Sequence, residues 1–155
     1  MTKRFEWWLT IPGWAPYEGS DRGRIRNGKT GRVLTTWPSK KTGHLRVSLS
    51  RNGRQKTFSV HRLILLTFVG PSDLNGLHRD DDPTNNHIEN LYWGTLSQNV
   101  LDSVRNGTHQ GARKTRCRFG HELSGDNLAI RRSGKRACRK CACRHSATQR
   151  AKGST

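Results

Sequence analysis

The sequence contains no apolar run near the ~18 residues that a membrane span needs, and it does not open on the charged-then-apolar pattern of a secretory signal. A membrane protein and an exported one are therefore excluded, and a cytoplasmic setting, in a phage-infected or bacterial host cell, is expected. No cysteine occurs before residue 117 of the 155. Most of the chain thus cannot rest on a disulfide framework. Acids are scarce, 11 against 29 Lys and Arg, for a net charge of +18. Apolar residues make up 31%, well under the roughly 45–50% of ordinary globular chains (a figure that counts Gly). That leaves room for one small core and excludes a large α/β enzyme.

What is present is positive charge, and it is unevenly placed. Residues 1–70 hold 14 Lys/Arg and three acids, a net of +11. Residues 111–155 hold 13 and two, again +11, whereas residues 71–110 carry a net −4. Basic flanks of this size favour a polyanionic partner through counterion release from phosphates. The acidic centre suits phosphate only if a cation sits there.

Short alternating segments divided by Gly, Pro and Asn mark residues 5–60 as strands and turns. Tyr17–Ser20, Gly23–Asn27, Arg32–Thr36, His44–Leu49 and Lys56–Val60 are the expected strands. Asn52-Gly53 between the last two predicts a hairpin turn with positive φ. His61–Val69 reads as a short buried helix, stopped by Gly70-Pro71. Thr95–Asn106 reads as a second helix with Thr95 as N-cap and Gln98 completing a capping box. Val100, Leu101 and Val104 share one face of it, and Gly107 ends it. Trp7, Trp8, Trp14 and Trp37 are expected to pack a small sheet. Residues 108–114 read as a polar linker, and 149–155 as a disordered tail.

Between the two helices, Gly76-Leu77-His78 and Leu91-Tyr92-Trp93 can pair as strands. The loop between them holds Asp80, Asp81, Asp82, Asn85, Asn86, His87 and Asn90. A strand–loop–strand–helix unit rich in carboxylate, amide and imidazole suits Mg²⁺ or Mn²⁺ beside a base. His87 is expected to be structural or solvated.

This run resembles the His-Asn-His (HNH) endonucleases of the ββα-metal class, in their homing and phage subgroup. The resemblance rests on Val60-His61-Arg62-Leu63, His78, Asp80, Asn85-Asn86, Asn90-Leu91, Trp93, Thr95 and Asn99. More loosely, Trp8, Ile11-Pro12-Gly13, Tyr17, Ser20 and Gly23-Arg24-Ile25 resemble the small N-terminal module of homing endonucleases, with departures at Gly19 and Asp21. The resemblance implies that His78 is the general base, that Asn90 holds the loop and orients His78, and that Asn99 is a metal ligand. Leu77 stands where such proteins often carry a metal-binding Asp, so the second ligand is a loop carboxylate, water or substrate phosphate, and Asp80, Asp81 and Asp82 are the candidates to test.

All four cysteines lie after residue 116. Cys117 and His121 are spaced C-x₃-H, and Cys138 and Cys141 C-x₂-C, across a basic stretch containing Ser133-Gly134. Two close pairs so separated fit a structural Zn²⁺ site in a segment with too little apolar content to fold alone. Cys143 or His145 could replace a ligand. The segment also resembles the zinc-binding tails of other phage endonucleases of this class.

The expected architecture is α+β in three parts: a basic β-rich DNA-binding module over 1–57, a ββα-metal core over 58–107, and a basic zinc segment over 115–148. The expected activity is metal-dependent hydrolysis of double-stranded DNA, as a nick or a double-strand cut, by a monomer. Arg24, Arg26, Arg46 and Arg62 are the expected DNA contacts. The competing reading, favoured by Leu77, is a non-catalytic DNA- or RNA-binding protein on a degenerate nuclease core.

Overall fold

A computed structural model describes residues 5–132 and 135–143. Ser133-Gly134, His145 and the expected tail from 149 lie outside the described residues. The chain divides into two compact units, one ending at Asn106 and the other beginning at Gly107.

The first unit opens with a three-stranded antiparallel sheet, β1 (Trp8–Thr10), β2 (Tyr17–Ser20) and β3 (Ile25–Asn27). A second antiparallel sheet follows, of β4 (Trp37–Pro38), β5 (Leu45–Arg51) and β6 (Arg54–Ser59). The β5–β6 turn has Asn52 at φ 52° and Gly53 at φ 73°, the twist that a tight hairpin needs and that Asn-Gly supplies cheaply. Alternation along β5 buries Val47 and Leu49, as a one-sided strand must. Arg32–Thr36, expected as a strand, contributes only a single bridge from Val33 to Arg26.

Helix α1 (Val60–Phe68) starts where β6 ends. Val60, Leu63, Ile64 and Leu65 are buried against Ile11, Ile25, Val47, Leu49 and Leu91, with Trp14, Tyr17 and Trp93 packed around them. One core is thus shared by both sheets and the helix. The sequence divides this stretch at residue 57, but the packing does not.

After α1 come β7 (Asn75–His78), a single 3₁₀ turn at Ile88–Asn90, β8 (Leu91–Gly94) and helix α2 (Leu96–Arg105). Strands β7 and β8 pair antiparallel, His78 opposite Leu91 and Leu77 opposite Tyr92. The Thr95–Gln98 capping box is complete: each backbone N–H donates to the other's side chain, at 2.8 and 3.2 Å. Gly107 follows at φ 68°.

The expected apolar face of α2 is not buried. Leu96 is 71% and Leu101 67% exposed, and Val100 and Val104 are exposed too. The buried residue is Asp102, which accepts from the Tyr92 hydroxyl and from Arg105 at 2.5 Å. The helix presents its polar side to the loop: Ser103 Oγ donates to Asp81 at 3.3 Å, and Asn106 Nδ2 to the Arg79 carbonyl at 2.7 Å. Donors that the β7–β8 loop needs outweigh the apolar periodicity here.

The second unit holds a short helix α3 (Gln110–Arg113), where a structureless linker was expected, and the hairpin β9 (Leu128–Ile130) and β10 (Arg136–Cys138). His109 caps α3 through Nδ1. The Arg136 guanidinium donates to the carbonyls of Ala112 (2.7 Å), Lys114 (3.0 Å) and Leu123 (3.0 Å), tying the end of α3 and the segment after it to the hairpin.

Candidate functional site

His78 ends β7 with its ring buried. Its Nε2 lies 3.3 Å from Asn86 Oδ1. Asn86 Nδ2 donates to the Thr84 carbonyl at 3.1 Å, so the amide is oriented with its oxygen toward the ring. An oxygen there can only accept. The proton therefore sits on Nε2, and Nδ1 keeps the lone pair that a base needs. Burial lowers the His78 pKa, against the upward pull of Asn86 and of the carboxylates Asp80, Asp82 and Asp81.

The resemblance implies that Asn90 holds the loop and orients His78; the side chain placed on the His78 ring is that of Asn86. The contacts of Asn90 lie within the loop. Its Nδ2 donates to Asp80 Oδ1 and to the Asn85 carbonyl, both at 2.9 Å, and its Oδ1 accepts from the Asp80 N–H at 3.2 Å. The loop is buttressed by the first sheet, where Ile88 N–H donates to the Asp21 carbonyl at 2.9 Å. Gly23, at φ +80°, approaches so closely that a Cβ would fall 2.5 Å from the Asn86 carbonyl oxygen. Only glycine fits this position without displacing the residue that holds His78.

The three loop aspartates separate by geometry. Asp80 accepts from Asp82 N–H (2.9 Å), Asn85 Nδ2 (2.6 Å) and Asn90 Nδ2 (2.9 Å). Partial burial opposes its ionisation, but these hydrogen bonds outweigh it and hold the carboxyl below the usual range. Asp82 accepts from the Thr84 hydroxyl and N–H. Both serve the loop. Asp81, in the left-handed region at φ 60°, lines the cleft beside His78.

That cleft, about 340 Å³, is lined by His78, Asp81 and Asn99, and also by His44, Leu77 and Leu96. Asn99 makes no side-chain hydrogen bond to another described residue. Asn99 and Asp81 offer hard oxygen donors, which fit Mg²⁺ or Mn²⁺, and Leu77 contributes only an apolar wall.

Behind the cleft lies a feature that sequence reading missed. His44, His61 and His78 form a cluster with ring centroids 4.6, 5.3 and 5.1 Å apart. Nothing in their spacing, 17 residues each, signals it. His61 is buried, its Nδ1 has no hydrogen-bond partner among the described residues, and burial, then the neighbouring His44, His78 and Arg62, lower its pKa to about 3. Burial and His78 lower His44 as well. All three bind protons more readily unfolded, so stability is complete above about pH 6.5 and is lost as pH falls toward the folded values. His61 alone is expected to remove about 2 kcal/mol between pH 7 and pH 5. All five tryptophans lie between residues 7 and 93, so urea unfolding followed by their fluorescence reads this unit alone. A midpoint unchanged at pH 5 would contradict the expectation.

Of the expected DNA contacts, Arg24 is ion-paired with Glu6, and Arg26 with Glu18 at 2.6 Å while stacked 4.2 Å over Trp8. Arg46 and Arg62 form no ion pair among the described residues; Arg62 is exposed, 5.4 Å from the Trp93 ring. Trp14 packs edge-on to Phe58, whereas Trp7 and Trp37 are exposed rather than packed. A second cavity, lined by Trp14, Arg51, Asn52, Arg54, Gln55 and Lys56, carries three cations and no acid at the hairpin tip. His87 is exposed.

In the second unit, Cys117, His121, Cys138 and Cys141 place their ligand atoms within 4.8 Å of one another. His121 Nδ1 lies 3.3 Å from Cys141 Sγ and 3.6 Å from Cys138 Sγ, and Cys117 Sγ lies 3.6 Å from Cys141 Sγ. Tetrahedral zinc requires such atoms to lie about 3.5–3.8 Å apart. A tight turn, with Gly120 at φ 81° and Phe119 N–H donating to Cys117 Sγ at 3.4 Å, presents the first pair. Asn127 Oδ1 receives both Cys138 Sγ and Lys140 N–H. Cys143 is exposed and outside the cluster.

Two antiparallel strands, the first ending in a buried imidazole, a polar loop between them, and a helix bearing an amide into the same cleft define a ββα-metal nuclease core. Residues 58–101 match the family model described as HNH endonuclease, and residues 6–50 the NUMOD4 motif. Residues 58–101 thus form an HNH endonuclease domain, and the chain is similar to HNH endonucleases of the homing and phage type. It is 38% identical over 109 residues to an uncharacterized HNH endonuclease of Acanthamoeba polyphaga mimivirus (69% of this chain, 32% of that protein). It is 34% identical over 105 residues to DNA endonuclease I-HmuI of Bacillus phage SP01 (65% and 59%). The chain thus spans about a third and about three fifths of these relatives. The structure titled "DNA binding and cleavage by the HNH homing endonuclease I-HmuI" matches with a TM-score of 0.60 at 29% identity, over 90% of this chain and 82% of that one.

Proposed function

We propose that this protein hydrolyses phosphodiester bonds of double-stranded DNA, with His78 as the general base. The observation that carries the reading is a buried imidazole whose tautomer is set by Asn86, facing a cleft shared with Asn99 and Asp81. His78 Nδ1 takes the proton of the attacking water. Asn86 holds the ring and its proton in place. Asn90 and Asp80 keep the loop in the shape that aims both. Asn99 and Asp81 would hold Mg²⁺ or Mn²⁺. When bound, such an ion supplies charge stabilisation at the scissile phosphate and leaving oxygen. Asp81 takes the place, as ligand, that Leu77 leaves empty.

Basic side chains outside the cleft carry the non-specific affinity. Arg46, Arg62 and the hairpin cations Arg51, Arg54 and Lys56 are the better contacts, because Arg24 and Arg26 already face carboxylates. Functionally, the division is a basic β-rich module to about residue 57, the nuclease core to 107, and a zinc-stapled basic segment over 115–148. Zn²⁺ would be held by Cys117, His121, Cys138 and Cys141. The protein acts as a monomer inside the cell; no helix among the described residues is long and apolar enough to cross a membrane.

The test is conversion of supercoiled plasmid. Wild-type protein should nick or linearise it in Mg²⁺ or Mn²⁺ and not in EDTA. Asn86→Leu, which leaves the ring without an acceptor for its Nε2 proton, should cut at least about tenfold more slowly. DNA binding without cleavage in any divalent metal would instead favour the binding-only reading that Leu77 suggests.

A further inference from the structure

We propose that His44 is a second catalytic imidazole, which donates a hydrogen bond to a non-bridging oxygen of the scissile phosphodiester. The inference rests on the nuclease reading and deepens it. His44 lies outside the stretch matched as HNH endonuclease and inside the one matched as NUMOD4, so neither strand of the ββα unit provides it. It stands just before β5, at the mouth of the second sheet, and lines the same cleft as His78, Asp81 and Asn99. Its ring centroid is 5.3 Å from that of His78, close enough for one phosphate group to reach both imidazoles. Its ring nitrogens make no hydrogen bond to another described residue. His44 is thus a half-buried donor with nothing yet to donate to.

The surroundings hold the ring in place. His61, itself buried, packs against it at a tilt of 43°, with centroids 4.6 Å apart. Gly43, at φ +73°, brings the strand entrance against the active loop, where a Cβ would lie 3.1 Å from Pro83 Cγ. A ring so held loses little freedom on meeting a substrate. A neutral imidazole always carries one N–H, and an N–H aimed at a phosphate oxygen stabilises charge that grows as water attacks. Of the other cleft residues, Leu77 and Leu96 are apolar, Asp81 repels phosphate oxygens, and Asn99 is committed by the same reading to the cation, which leaves Thr42 and Asn75 as the remaining polar side chains of the lining.

His44→Phe retains a ring against His61 and His78 but has no donor. His44→Gln retains a donor on a flexible stem. Both are compared with wild type in single-turnover nicking, with enzyme in saturating excess over plasmid and Mn²⁺ present, in DNA affinity with EDTA, and in thermal unfolding by tryptophan fluorescence. Loss of one charge-assisted hydrogen bond predicts a saturated rate about 10- to 100-fold lower for His44→Phe. Affinity and melting temperature should stay near wild type, with partial recovery in His44→Gln. A wild-type rate in His44→Phe would show that the ring only packs, and would overturn the proposal. So would lost affinity at an unchanged saturated rate, which would move the contact to flanking backbone. So would equal losses in both variants with lowered melting temperatures. No cleavage by the wild type would overturn the nuclease reading itself, and the proposal with it.

Discussion

Alanine in place of His78 is expected to lower plasmid cleavage by about 100- to 10,000-fold, the span over which a positioned base contributes, without abolishing DNA binding. The expectation follows from the division of labour in the site. Among the described residues His78 hydrogen-bonds one side chain, Asn86, which leaves Nδ1 to accept a proton, whereas the proposed DNA contacts are cations elsewhere on the unit. His78→Gln keeps a polar side chain on Asn86 and should be equally slow. Cleavage by either variant at the wild-type rate would remove His78 from the mechanism. The pH dependence carries a second signature. Burial holds the His78 pKa below its ordinary 6.5, with Asn86 and the loop aspartates opposing. A base works only when unprotonated. The acid limb of the activity should therefore be centred below pH 6.5. An acid limb centred above pH 6.5 would contradict this.

Removal of zinc is expected to have the largest structural effect, confined to the second unit. Among its described residues only Leu123 and Cys138 are buried, far too little apolar area to offset the entropy of ordering. Structural zinc in comparable segments is worth about 10–16 kcal/mol. Metal analysis of purified protein should find about one zinc per chain, and Cys138→Ser should find almost none. Chelation should collapse the amide NMR dispersion of residues 107–143 while tryptophan fluorescence, which reports only on the first unit, is unchanged. Preserved dispersion after complete chelation would show that the Arg136 contacts and the hairpin suffice without metal.

Much of this was legible in the chain itself, because the signals were local. Asn52-Gly53 demanded a positive-φ turn, Thr95 and Gln98 demanded a helix start, and the C-x₃-H and C-x₂-C pairs converge because pairs at such spacing are built by single turns. His78 and Asn99 could be placed in one cleft because a strand end and the next helix's first turns meet wherever a strand–strand–helix unit closes. Tertiary structure alone decided three things. It chose Asn86 to hold the His78 ring, since residues in one loop cannot be ranked by contact until the loop has a shape. It assembled His44, His61 and His78 from three elements, which no sequence period connects. And it turned α2 inside out against its own pattern, exposing Leu96 and Leu101 and burying Asp102. A short helix beside a polar loop is oriented by the hydrogen bonds that loop requires, and apolar spacing cannot register a demand made by residues twenty positions away.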